Sequence, residues 1–135
     1  MKKIIFYSFV VTLLFSCQKD DEKDNSSPIS NFTGTWVCEE NSQQLGQSIY
    51  SVYINPHSSI ANRIVIDNFY NIGVQLSYAQ VELNGNNLNL FLQNINGFDV
   101  SGSGTLINNS QINMSYIADD GSGPDNVTAI FTKTN

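Results

Sequence analysis

The side chains able to do chemistry are few, and their spacing decides against most reactions they could support. His57 stands in Asn55-Pro56-His57-Ser58-Ser59 and is the only histidine in the chain. A zinc site needs several His or Cys ligands at short spacings, and none accompanies His57. Ser58 and Ser59 adjoin it, but neighbours within one turn do not aim at each other as a nucleophile and its base must. His57 therefore reads as an exposed loop residue. Glu39 and Glu40 are adjacent in an extended run, so they point to opposite faces of a strand and cannot act as a facing pair. Asp119, Asp120 and Asp125 gather around Gly121 and Gly123. A hard cation wants several oxygens on such a loop, but the alternating acids and closing Glu of an EF-hand are absent, and a solvated loop is the plainer reading. No glycine loop is built to cradle phosphate. Catalytic residues, metal ligands and cofactors are not expected, and neither is an enzyme.

Two cysteines remain, Cys17 and Cys38. Cys38 follows Trp36 by two residues in a strand-like run, which puts both on one side. An unpaired thiol in that place reads as a small buried apolar group.

Charge narrows the partners. From Asn31 onward the acids are Glu39, Glu40, Asp67, Glu82, Asp99, Asp119, Asp120 and Asp125, opposed by Arg63 and Lys133 alone. Nucleic acids and anionic headgroups require a basic face, so neither is an expected partner.

The N-terminus supplies an address. Lys2 and Lys3 precede an apolar run, Ile4 to Phe15, broken by Ser8 and Thr12. That run is shorter than the roughly 20 residues a membrane-spanning helix needs. With the small residue Ser16 after it, the segment reads as a cleaved secretory signal, residues 1–16. Leu14-Phe15-Ser16-Cys17 resembles a lipobox, with Phe15 bulkier than the usual residue at its place. The resemblance implies lipidation of Cys17 and anchorage to a membrane. Gln18, Lys19, Asp20, Asp21 and Glu22 resemble the acidic export signal of Bacteroidetes-type surface lipoproteins, which implies an outer-membrane, surface-exposed location. Residues 17–30 hold almost nothing apolar to bury and read as a disordered tether, long enough for a reach on the order of 20 Å. Residues 31–135 form the one foldable domain.

Stepping along that domain, the expected strands are Gly34–Glu40, Ser48–Ile54, Arg63–Phe69, Val74–Leu83, Asn87–Gln93, Phe98–Ile107, Gln111–Ala118 and Asn126–Lys133. Asn89 alternates with Leu88 and Leu90, and Asn113 and Ser115 alternate with Ile112, Met114 and Tyr116, the period of a half-buried strand. Asn84-Gly85-Asn86, Asn96-Gly97 and Asn108-Asn109 supply tight turns. Eight strands joined in this way form a meander, and closing it removes the edges. The predicted fold is all-β, an eight-stranded antiparallel up-and-down barrel; an open β-sandwich is the alternative for the same strands. Gly102 and Gly104, inside one strand, mark a bend or a close backbone approach.

Phe32-Thr33-Gly34-Thr35-Trp36 resembles the Gly-x-Trp opening of lipocalin-like proteins, and the layout resembles the small lipocalin-like domains of Bacteroidetes lipoproteins. The resemblance implies that Trp36 closes the barrel floor beside Gly34, with Lys133 laid across its ring as a cation–π contact. The domain is shorter than a typical lipocalin and lacks its C-terminal helix and disulfides.

Two functions fit. In the first, the barrel mouth holds a small apolar or amphipathic ligand, and the alternation assigns Trp36, Tyr50, Leu76, Tyr78, Leu90 and Tyr116 to its lining, positions that plain core packing would also fill. In the second, a filled barrel acts through its loops on an envelope protein, a host protein or a glycan, an inhibitor role included, with Tyr53, Tyr70 and Phe91 facing outward. An open mouth favours the first; a filled interior with an outer aromatic patch favours the second. A monomer is expected in either case.

Overall fold

The computed structural model describes residues 28–135. The expected signal, Cys17 and the export run Gln18 to Glu22 lie outside the described residues. A 3₁₀ turn at Ile29–Asn31 leads into β1 (Gly34–Ser42), β2 (Gly46–Pro56), β3 (Arg63–Asp67), β4 (Tyr78–Asn84), β5 (Asn87–Ile95), β6 (Phe98–Asn108), β7 (Gln111–Asp119) and β8 (Pro124–Lys133). Each strand pairs antiparallel with the next, and β8 returns to β1. The predicted barrel is the fold. An open sandwich is excluded because residues 36–42 of β1 pair with β2 on one side and β8 on the other.

Alternation sets the interior. Trp36, Cys38, Val52, Ile54, Ile64, Ile66, Leu88, Leu90, Ile112, Met114 and Phe131 are all buried, at positions two apart along their strands. Each fully buried side chain of this size contributes roughly 1.5–3 kcal/mol. Gly102 and Gly104 allow β6 to hug β7: a Cβ on Gly102 would stand 2.3 Å from the Ser115 carbonyl oxygen, and one on Gly104 would stand 2.7 Å from that of Asn113.

The strands depart from expectation between β3 and β4. The strand expected from Val74 starts at Tyr78, and the one expected to reach Phe69 stops at Asp67. Asn68, Tyr70, Asn71 and Gln75 all have left-handed backbone, with φ of 63°, 55°, 53° and 62°, a conformation that cannot continue a ladder. The Asp67 Oδ1 accepts the amides of Asn68 and Gln75 and so draws the loop's ends together. The parity of β4 reverses an inference about facing. Ala79 and Val81 point inward, so Tyr78 points out, and Leu76 belongs to the loop.

Candidate functional site at the barrel mouth

The register places Trp36, Ile54, Ile64, Leu88, Ile112 and Phe131 towards one end of the barrel and Glu40, Tyr50, Tyr116, Val127 and Asp125 towards the other. The first end is the floor. There Trp36 pairs with Lys133 across β1 and β8, and the Lys133 ammonium lies 5.3 Å from the Trp36 ring centroid. The Trp36 Nε1 donates to the Phe32 carbonyl at 2.8 Å. Lys133 Nζ also donates to the Asn31 carbonyl at 3.2 Å, tying the 3₁₀ turn beneath the barrel. A Cβ on Gly34 would crowd the Lys133 Cε at 3.3 Å. Gly34, Trp36 and Lys133 thus meet in one place.

The other end is polar. Glu40 and Asp125 are 3% and 2% exposed. Tyr50 and Tyr116 both donate their hydroxyls to Glu40 Oε2. Asp125 Oδ2 accepts the Ser42 hydroxyl and, at 2.6 Å, the Tyr70 hydroxyl, while Oδ1 accepts the Gln44 amide. Among the described residues the one ion pair is Arg63–Glu82, so neither buried carboxylate is matched by a cation. Phe69 and Tyr70, carried by the β3–β4 loop, close the mouth: the Phe69 ring packs 4.7 Å from Tyr116, and Tyr70 stands edge-on to Phe98 at 5.3 Å.

The surroundings set the protonation of these groups. Burial pushes the Glu40 carboxyl above its ordinary value, and the nearby Asp125 charge adds to this, against the opposing hydrogen bonds from Tyr116 and Tyr50. Burial also works to raise Asp125, but the hydrogen bonds from Ser42, Tyr70 and backbone amides outweigh it, and its carboxyl sits below the ordinary range. Burial, then the Glu40 and Glu39 charges, lift the Cys38 thiol to about 12 against the Tyr50 hydrogen bond. While it stays buried, a thiol held this firmly protonated acts as a packing group.

Of the six residues assigned to a ligand lining, Trp36, Leu90 and Tyr116 are buried and Tyr50 is half-buried, inside the barrel. Leu76 and Tyr78 are 66% and 50% exposed and face away from it, Tyr78 because Ala79 and Val81 take the inward positions of β4 and Leu76 because it lies in the loop before β4. The outward assignment of Tyr70 is also reversed: its ring plugs the mouth. Tyr53 is exposed. Phe91 is half-buried beneath the Arg63 guanidinium, 4.9 Å from its ring.

Glu40 and Asp125 escaped the sequence reading although a signal for each was present. Glu40 continues the Trp36, Cys38 parity, and Asp125 precedes Val127, Ala129 and Phe131 at the same spacing. His57 is half-buried, and its Nδ1 accepts the Ser59 and Ile60 amides at 3.1 Å each, so that nitrogen is occupied by its own turn. Asp119 and Asp120 likewise accept amides of residues 121–123, while Asp125 faces the interior.

Two features mark the outer face. A groove of about 570 Å³ crosses β6, β7, β8 and β1, where Asn41, Gln43, Ser101, Ser115, Ile117, Asn126 and Thr128 line it with exposed or half-exposed side chains. On β2 and β4, Tyr53 and Tyr78 flank Asp67 in one cross-strand row, and Val74 and Leu76 of the loop before β4 are exposed.

No family model matches the chain, and no curated protein matches it. Solved structures do. A redesigned beta barrel aligns with a TM-score of 0.60 at 15% identity, over 82% of this chain and 97% of that one. The protein EF1p2_mFAP2b bound to DFHBI aligns with a TM-score of 0.56 at 15% identity, over 79% and 97%. At that identity the likeness is one of fold alone.

Proposed function

We propose that this chain is a surface lipoprotein, held at the outer membrane by acyl chains on Cys17, whose non-enzymatic lipocalin-like barrel is a protein-interaction module acting through its outer face. The closed mouth carries this reading. Buried side chains run through the interior from Trp36 at the floor to Phe69 and Tyr70 at the top, which disfavours an apolar ligand there. Tyr53 and Tyr78 meanwhile stand exposed in one cross-strand row, and Val74 and Leu76 are exposed in the loop that precedes β4. Aromatic and aliphatic anchors of this kind supply most of the binding energy at protein interfaces. The Gly34, Trp36 and Lys133 contacts support the lipocalin-like resemblance.

Small-ligand binding is the second reading, favoured by the polar cluster at the mouth: a barrel selected only for stability would fill that end with apolar groups, since buried charges rarely add stability. The likeness to a protein bound to DFHBI is compatible with it. A glycan partner would find uncharged amides and hydroxyls in the outer groove.

Native mass spectrometry of the full chain, extracted from its source envelope, tests the choice. The expected mass is the lipidated polypeptide with no further small molecule. A stoichiometric co-purifying compound would overturn the proposal in favour of the second reading. A photo-crosslinking side chain at position 76 is expected to capture one discrete envelope or host protein, and Tyr78→Ser to reduce that capture at least several-fold; the same crosslinker at exposed Leu45 serves as the control.

A further inference from the structure

The β3–β4 loop is joined to the rest of the molecule in an unusual way. It takes no part in any strand ladder: the β3–β4 pairs run from Arg63–Glu82 to Asp67–Tyr78 and are complete at its base. That base is closed internally, with Asp67 Oδ1 accepting the amides of Asn68 and Gln75, and Asn68 Oδ1 accepting that of Gly73. One further anchor, Asn68 Nδ2 to the Ser51 carbonyl at 2.8 Å, lies at the base as well. Towards the barrel mouth the loop offers two aromatic rings, the partly buried Ile72 packed against the core and one polar contact, the Tyr70 hydroxyl on Asp125. Asn71, Val74, Gln75 and Leu76 are exposed.

We propose that residues 68–77 form a hinged lid, latched by the Tyr70–Asp125 hydrogen bond, that uncovers the polar end of the interior while the barrel itself stays closed. Three observations favour an open state short of unfolding. Lifting the loop breaks no ladder. The groups it would uncover, Glu40, Tyr50, Tyr116, Ser42 and Asp125, are polar, and water can replace the lost contacts. The left-handed backbone at Asn68, Tyr70, Asn71 and Gln75 is strain that the closed packing sustains and an open loop relaxes. Local openings of this kind, below the free energy of global unfolding, are drawn from loops with few ladder bonds. The lid is independent of the outer-face reading: a partner can dock at Leu76 whether or not the lid lifts, and the two tests can fail separately.

Cys38 reports the opening. It is buried and free one step below Glu40 on β1, directly across from Tyr50 on β2. Full-length protein is exposed to an alkylating reagent under native conditions. Labelling is resolved by peptide mass mapping, because Cys17 is also present in the chain, and amide exchange is followed alongside. In the unmodified protein, Cys38 alkylation is expected to depend on denaturant far less steeply than exchange of the β6 and β7 ladder amides. Tyr70→Phe keeps the ring and deletes the latch. It is expected to speed Cys38 alkylation, and exchange of the Gly73 and Gln75 amides, at least about tenfold, the low end of what a hydrogen bond to a charged group confers, with the β6 and β7 amides unchanged. Alkylation that follows the denaturant dependence of global unfolding, or that is unaltered in Tyr70→Phe, overturns the lid. The measurement on unmodified protein stands even where the variant folds poorly.

Discussion

Glu40 and Asp125 share one end of the interior, yet their surroundings move them in opposite directions, and the stability of the fold inherits both trends. The native Glu40 carboxyl lies above its ordinary 4.5, so the folded state holds that proton more tightly than the unfolded chain. Its contribution is complete below about 4.5 and is lost as pH rises through the raised native value. Asp125 lies below its ordinary 3.8. Its contribution is present above 3.8 and is lost as pH falls through the lowered native value. Urea midpoints measured across pH separate the two. Glu40→Gln retains an oxygen for Tyr50 and Tyr116 and is expected to flatten the decline on the alkaline side of 4.5. Asp125→Asn is expected to flatten the acid side. Unchanged profiles would mean that neither carboxylate is buried as described.

At the scale of elements, the tightest constraint lies between β6 and β7. Gly102 pairs with Tyr116, and a Cβ there would meet the Ser115 carbonyl oxygen and the Tyr116 Cα at 2.3 and 2.6 Å. Backbone, unlike the end of a flexible side chain, cannot step aside, so relief requires β7 to move with everything packed on it. Gly102→Ala is expected to destabilise the barrel by about 3 kcal/mol or more, at the upper end of overpacking effects. Ser103→Ala, next to it and exposed, should stay within about 0.5 kcal/mol. Chemical denaturation of the pair measures the contrast; equal effects would show that β6 has room beside β7.

At the scale of the whole molecule, polar residues stand on the outside of the barrel: Glu39, Asn113, Ser115, Asn126 and Thr128 are exposed, while their strand neighbours are buried. A barrel that crosses a membrane needs the opposite, an outward apolar band roughly 25 Å tall. Among the described residues no helix is long and apolar enough to cross a membrane. The proposed anchorage lies outside the barrel, at the lipobox-like Leu14-Phe15-Ser16-Cys17. Cys17→Ser is expected to move most of the protein from the membrane fraction to the aqueous fraction, with Trp36 emission and far-ultraviolet dichroism of the barrel unchanged. Retention in the membrane would refute the anchor.

What the sequence determined by itself was the strand count, the turns and the barrel, because a period of two and the turn preferences of Asn and Gly are local and survive without knowledge of the neighbours. Trp36, Leu90 and Tyr116 were legible as inward for the same reason. The mouth was not. Tyr78 faces out because β4 turns Ala79 and Val81 inward. Leu76 and Tyr70 are placed by where β3 stops and β4 starts, which a loop of left-handed residues pinned by Asp67 decides. The closeness of Glu40 to Asp125 was equally hidden: they stand 85 positions apart in sequence, on strands that become neighbours only when β8 closes against β1. Closure is a long-range event, and the chemistry at the mouth exists because of it.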